Sequence, residues 1–303
     1  MKRCLIIPVI LLAISASCQP KKNSKSDQLI TDLKELSSDK YQGRKIGSPG
    51  NRMAAGYISE RFAEIGLKTF DSSYQHKFSS RKTQGINVLG YIEGKKKDVI
   101  VISAHFDHVG IIGGEVYNGA DDNASGVAVL LSLAKYFAAY KPQQTLIFAA
   151  FDGEEAGLLG ARAFVNRPPL SLNRVILNIN MDMVSRADNG KLYAAGSFHY
   201  PNLKKYLAST NKIISLVAGH DDPKLGKDDW TKQSDHYAFR EKGIPFIYFG
   251  VEDHPDYHKN TDDFERIDTT RFLNCEAVIL EVVLKIDKGL SLQNTFREKL
   301  ISN

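Results

Sequence analysis

The sequence predicts an α/β protein, a single domain with a mainly parallel mixed central sheet flanked by helices. Three observations lead there. Near-continuous apolar runs at 99–104 and 145–151 have the length and composition of strands covered on both faces. Strand-like and helical patterns alternate from Leu29 to Lys288 without an internal repeat. Side chains able to bind metal or move protons fall just after the strand-like runs, which is where open α/β sheets build their sites.

The elements follow in order. Apolar spacing is helical over 29–36 and 53–67, and Gly66 marks a stop. Residues 87–92 read as a strand and 94–97 as its turn, followed by the strand at 99–104. A helix over 125–140 buries Val127, Leu130, Leu131, Leu133, Ala134 and Phe137. Next come a strand at 145–151, a helix at 156–166, and strands at 174–181 and 191–195. A helix near 203–209 precedes a strand near 213–217. A short helix over 234–242 stops at Gly243, a strand spans 245–249, and a long closing helix covers 269–288 before Gly289.

The chain has 303 residues, 43% of them apolar, enough for one large core. Its net charge of +5 is not gathered into a basic run interleaved with aromatics, so no nucleic-acid partner is expected. The first residues read as a targeting segment. Lys2 and Arg3 precede an apolar stretch over 5–14, and small residues Ser15-Ala16-Ser17 lead into Cys18. The pattern resembles a bacterial lipoprotein signal, although Ser15 stands where Leu is usual. It predicts export to the cell envelope, with Cys18 lipidated in a Gram-negative bacterium, and otherwise a periplasmic or secreted protein. Membrane contact is expected only through that lipid. Cys4 belongs to the signal.

The expected organisation is a signal peptide at 1–17, a polar Lys/Ser-rich tether at 18–27, a domain at 28–290 and a polar tail at 291–303. Cys275 is then the only cysteine in the body of the protein, a small buried hydrophobe, so no disulfide framework holds the fold.

The strand ends share one chemistry. In order they present His105-Phe106-Asp107, Asp121-Asp122-Asn123, Asp152-Gly153-Glu154-Glu155 and Asp182, with His258 in the loop after the last strand. Alone, an Asp after a strand is commonly a helix N-cap, and Asp121 or Asp122 before the 125–140 helix fits that role. Together, imidazole and carboxylate without thiolate suit zinc or a similar divalent ion in a catalytic site. Metal pairs about 3.5–4 Å apart commonly share a carboxylate and activate one water for hydrolysis. Adjacent acids such as Glu154 and Glu155 point different ways, so one can hold metal while the other reaches the water.

At this point the sequence resembles a known family. His105-Phe106-Asp107-His108, Gly119-Ala120-Asp121-Asp122-Asn123-Ala124-Ser125-Gly126, Phe151-Asp152-Gly153-Glu154-Glu155-Ala156-Gly157, Asn180-Met181-Asp182-Met183 and Tyr257-His258-Lys259-Asn260-Thr261-Asp262 are similar to the motifs of the di-zinc exopeptidases. That family includes bacterial leucyl aminopeptidases and glutamate carboxypeptidase relatives. Gly43-Arg44, the 87–90 strand and Ser234-Asp235-His236 are similar as well.

The resemblance implies a zinc-exopeptidase fold and two zinc ions per chain. His105 and Asp182 would hold one ion, Glu155 and His258 the other, and Asp122 would bridge them through a segment whose Asp122-Asn123 peptide is typically cis. Glu154 would be the general base. Asp107 and Asp235 would orient ligand histidines, and Asp107 is counted with Glu154 in the catalytic set. Asp152 either orients a ligand or fixes the turn. Trp230 and Tyr117 either line a substrate pocket or pack in the core or on the surface, and His108 and His236 are ligands only in a shifted register. His254 is expected in a loop.

The implied activity is hydrolysis of peptides. The absence of a clustered Arg patch favours action at the free amine over action at the terminal carboxylate. Alternatives are a single-zinc glutaminyl cyclase, a carboxypeptidase, and an inactive binding protein on the same fold.

Overall fold

The apolar runs at 99–104 and 145–151 do form the middle of a sheet. The structure is a computed structural model that describes residues 25–80 and 83–289. Its elements are α1 (Lys25–Leu36), α2 (Pro49–Ile65), β1 (Gln75–Ser80), β2 (Thr83–Ile92), β3 (Val99–His105), β4 (Gly110–Ile112), β5 (Glu115–Tyr117) and α3 (Gly126–Ala139). They continue with β6 (Thr145–Phe151), α4 (Leu159–Asn166), β7 (Val175–Met181), β8 (Lys191–Ala195), β9 (Ser215–Ala218), α5 (His236–Arg240), β10 (Phe246–Gly250) and α6 (Thr269–Gly289). The expected signal peptide, Cys18 and the tail at 291–303 lie outside the described residues.

Eight strands form one sheet in the order β1-β2-β6-β3-β7-β10-β8-β9, while β4 and β5 make a separate ribbon. The central pairs β6/β3, β3/β7 and β7/β10 are parallel, and the antiparallel pairs fall toward the edges at β1/β2, β2/β6 and β10/β8. The outermost pair, β8/β9, is parallel again. The sheet is therefore mixed and mainly parallel at its core, as predicted.

Every residue of β3 and β6 is buried. Alternate side chains explain why those runs carry no polar face. Ile100, Ile102 and Ala104 pack with α1, α2, α3 and α6, through residues such as Leu33, Phe62, Val127, Leu131 and Phe272. Val99 and Val101 face the other way, against Phe164 of α4 and Phe239 of α5. Helices thus cover both faces, and the free-thiol Cys275 is buried in the first of them as expected.

Local signals set the helix ends. Ser48 accepts the amide hydrogen of Asn51 at 3.1 Å, Pro49 opens α2, and Gly66 closes it at φ 85°. Differences from the predicted elements have local causes. Lys25–Asp27, assigned to the tether, are the first turn of α1, because Leu29, Leu33 and Leu36 dock on the core and extend the helix upstream. The helix expected from 156 begins at Leu159, since Gly157 and Leu158 take φ values of 102° and 61° that no α-helix accommodates. The segment near 203–209 is a 3-10 turn, Pro201–Tyr206, and the 234–242 helix shrinks to the five residues of α5. Strand β1, with the sequence QHKFSS, and the three-residue strands β4 and β5 lack the periodicity that would announce them.

Candidate metal centre

Register brings the predicted segments together. In the β3/β6 pair His105 lies opposite Phe151, and Phe106 donates its amide hydrogen to the Phe151 carbonyl at 2.9 Å. The turn holding Glu154 and Glu155 therefore begins beside His105. Asp182 follows directly on β7, its amide donating to the Phe249 carbonyl of β10 at 3.0 Å. These three contributions come from the carboxyl ends of adjacent parallel strands.

Asp122 sits between them. Its segment, Ala120–Ser125, departs from helical geometry at Asp122 and Asn123, and the Asp122-Asn123 peptide is cis. Asp262 holds this turn from outside, accepting the amides of Asp121 at 3.0 Å and Asp122 at 3.0 Å. Asp121 turns away from the centre to accept Ser185 N–H at 2.8 Å and Ser185 O–H at 2.7 Å, and it lies 3.2 Å from His254 Nε2. Asp121 and His254 are thus a supporting pair.

Asp122 faces inward with both oxygens engaged. Oδ1 lies 3.4 Å from His105 Nε2, which is itself 3.1 Å from Asp182 Oδ1. Oδ2 lies 3.0 Å from His258 Nε2 and 3.7 Å from His108 Nδ1. Both of those imidazoles also approach Glu155 Oε1, at 3.5 Å and 2.9 Å respectively. Two donor groups result, His105/Asp122/Asp182 and His108/Asp122/Glu155, each with ligand atoms within 4.8 Å of one another, and His258 joins the second. Asp122 belongs to both. Their imidazole nitrogens and carboxylate oxygens, with no thiolate, fit zinc or a comparable divalent ion.

The surrounding acids hold backbone more than they orient histidines. Asp107 accepts the amides of Glu154 at 3.0 Å and Glu155 at 3.3 Å. Its carboxylate is 3.7 Å from His105 Nδ1, whereas its carbonyl oxygen is 3.2 Å away. Asp152 accepts Asn51 Nδ2–H and the Ile86 amide, each at 2.8 Å, so it fixes the turn to α2 and β2 and orients no ligand. Asp235, expected to orient a histidine, is fully buried with neither oxygen hydrogen-bonded. A polar ladder in which Asn180 donates to Ser234 Oγ at 2.9 Å fixes the turn before it.

Ionisation reflects crowding. Burial pushes Asp107 up to about 7 and Asp235 up to about 8, and it holds Glu154 well above the ordinary carboxylate range. Burial acts in the same sense on Glu155, but hydrogen bonds from His108 and His258 outweigh it and hold that carboxyl well below its usual value. His105 is disfavoured as a cation by burial, yet Asp182 and Asp122 keep it well above an ordinary imidazole. Hydrogen bonds to Asp122 and Glu155 push His258 up to about 10.

One cation lies behind the centre. Arg44 is completely buried and donates to the carbonyls of Leu36, Phe106, Asn118 and Gly119. It ties together the two loops that present His105–His108 and Asp121–Asp122. Trp230 packs in the core against Tyr193 and Tyr248 and stacks on His220 at 3.8 Å. Tyr117 lies on the β4/β5 ribbon, and His236 is buried with Nε2 at 3.0 Å from the Trp230 carbonyl. His108, expected as a ligand only in a shifted register, stands in one of the two donor groups with the register unchanged, and its adjacency to His105 and Asp107 is the sequence signal for that place. Asp262, part of the quoted motif four residues after His258, was given no role there, and the structure shows it holding the Asp121-Asp122 turn.

Comparisons with known proteins point the same way. Residues 87–283 match Peptidase family M28. The aminopeptidase YwaD of Bacillus subtilis (strain 168) is 27% identical over 277 residues, which cover 85% of this chain and 56% of that one. Among solved structures, an aminopeptidase from Aneurinibacillus sp. strain AM-1 covers 86% of this chain and 93% of its own, with a TM-score of 0.67 and 18% identity. A glutaminyl cyclase from Bacteroides thetaiotaomicron covers 86% and 97%, with a TM-score of 0.69 and 19% identity. At such identities the two structures speak for the fold alone. The chain spans a little over half the length of the first curated relatives it matches.

Proposed function

The chain belongs to peptidase family M28, and from that premise we propose that it is a zinc-dependent aminopeptidase acting on peptides with a free N-terminus. The observation behind this reading is the sharing of Asp122 between two donor groups beside Glu154. His105 and Asp182 would hold one ion, Glu155 and His258 the other, with Asp122 between them. Metal held there would supply Lewis acidity for hydrolysis of a peptide bond by water.

The remaining chemistry belongs to side chains. Glu154 takes the proton of the attacking water and passes it to the leaving amine. Burial raises the proton affinity of Glu154, which suits a group that must hold a proton between two transfers. Asp107, accepting both amides of the Glu154-Glu155 turn, keeps base and ligand in separate directions.

Charge favours the amine end of a substrate. Arg44 is sealed off with its N–H groups on four carbonyls, and Arg186 pairs with Asp188 and Asp256. Neither guanidinium is free to receive a terminal carboxylate.

A substrate panel tests the proposal: aminoacyl p-nitroanilides, their N-blocked counterparts and a Gln-terminated peptide, each with zinc added and with chelator. Chelator-sensitive release from the free-amine substrates is expected. Cleavage confined to blocked substrates would overturn the aminopeptidase reading. Conversion of the Gln peptide to pyroglutamate, with one zinc per chain, would establish a cyclase in its place.

We also propose that the domain is exported and anchored through a lipid on Cys18, on the strength of the N-terminal sequence. The full chain should sediment with membranes and Cys18→Ser should not. Equal sedimentation of the two would exclude the anchor.

A further inference from the structure

Two imidazoles converge on the same pair of carboxylate oxygens. His258 Nε2 lies 3.0 Å from Asp122 Oδ2 and 3.5 Å from Glu155 Oε1, and His108 Nδ1 lies 3.7 Å and 2.9 Å from those atoms. Their rings are 5.8 Å apart. No second imidazole approaches the His105/Asp122/Asp182 group in this way among the described residues.

The position of His108 is built into the fold. The residue is buried, three places after His105 on the loop that Arg44 ties down through Phe106. Its ring lies on the backbone of Gly119, where a Cβ would fall 2.6 Å from the ring Cγ and Cδ2. Its Nε2 is buried without a hydrogen-bond partner. So the ring is fixed by packing, and its one polar engagement is Nδ1 facing two carboxylate oxygens. His258, by contrast, is 43% exposed at its side chain and sits on a loop at φ 53°.

We propose that His108 Nδ1 is a fourth protein ligand, with Asp122, Glu155 and His258, for one of the two ions. This inference rests on the two-ion reading above and deepens it. Four protein donors close a tetrahedral zinc position, whereas three leave one open for water or substrate. The ions are then unequal. The one beside His108 is held tightly and exchanges slowly. The one beside His105 keeps the open position.

Competition of the metal-free full domain with a chromogenic zinc chelator tests this, alongside visible spectra of the cobalt-substituted protein. Wild type should bind two ions in two resolved steps. His108→Ala and the bulkier His108→Gln should weaken the tighter step on the order of 10- to 100-fold or more, the scale of lost metal-site partners. The weaker step should stay in place, and the cobalt bands of one site alone should change. Thermal melts of both variants in chelator verify that the fold is retained. Two resolved steps in wild type that both variants leave unchanged would overturn the role of His108. A wild type that binds a single ion would instead remove the two-ion reading on which it rests.

Discussion

The carboxylate of Asp107 accepts the backbone amide hydrogen of Glu154 at 3.0 Å, across 47 residues of chain. An acid placed to orient His105 by its position in the sequence thus spends its oxygens on the turn that carries the proposed base. Asp107→Asn replaces one acceptor oxygen with an N–H donor facing an amide N–H. Turnover should fall on the order of 10- to 100-fold, the usual scale for lost support behind a metal site. Zinc content per chain should hold. Steady-state kinetics with metal analysis check this, and unaltered turnover would show that the turn needs no such support.

Glu154 and Glu155 should separate cleanly. Glu154→Gln keeps shape and removes the proton acceptor, so zinc should stay while turnover falls on the order of 10²- to 10⁴-fold. Glu155→Ala removes an oxygen lying 2.9 Å from His108 and 3.5 Å from His258, so metal affinity itself should drop. Metal stoichiometry and turnover measured on the same preparations decide the matter. Full activity in zinc-loaded Glu154→Gln would remove this residue as the base.

Arg44 gives a stability prediction. Its guanidinium donates to four buried carbonyls on three segments. Burial nevertheless brings its pKa down to about 10, a sign that the charge is retained at a cost and in service of those bonds. Arg44→Ala leaves buried acceptors without donors, each worth about 1–3 kcal/mol. Arg44→Lys should also destabilise the fold, because one ammonium lacks the planar fork that reaches separate loops. Urea midpoints of the zinc-loaded proteins measure both losses. A Lys variant as stable as wild type would mean that charge alone suffices.

How much of this the chain itself discloses depends on whether a residue's role is local. The runs at 99–104 and 145–151 were legible because both faces of each strand are covered, so composition alone marks them. His105, Asp122, Glu154, Glu155 and Asp182 stood on the short list of strand ends, but separating Asp122 from Asp121 and Glu154 from Glu155 took the family resemblance. The start of α4 was not legible, because Gly157 and Leu158 adopt positive φ in the turn after β6, where their amides donate to the Glu154 carbonyl. Nor was the work of Asp262, whose partners at Asp121 and Asp122 are 141 and 140 residues away. Periodicity reads contacts within an element and is blind to a side chain that caps a distant turn.

Metal removal should make stability depend on pH with a definite sign. Asp107, Asp235 and Glu154 have folded pKa values raised by burial, to about 7, to about 8 and well above the ordinary range. Their unfolded values lie near 4. Each therefore adds nothing unfavourable at low pH and destabilises the fold increasingly as pH rises through its folded value. His105 and His258 are held above the ordinary imidazole value of about 6.5, the latter up to about 10. Their stabilisation is complete below that value and is lost as pH rises through the folded pKa. Glu155 is shifted down, so its contribution is lost only in acid, outside the window of interest. From pH 7 to 9 Asp235, His105 and His258 act in the same sense, Asp107 having lost most of its contribution by pH 7, and the chelated protein should melt at progressively lower temperature. Saturating zinc compensates the carboxylates and competes with the protons on His105 and His258, so the same scan should be nearly flat and higher throughout. Differential scanning calorimetry at fixed ionic strength provides both curves. A chelated protein that melts higher at pH 9 than at pH 7 would mean that these acids do not crowd one another as the geometry requires.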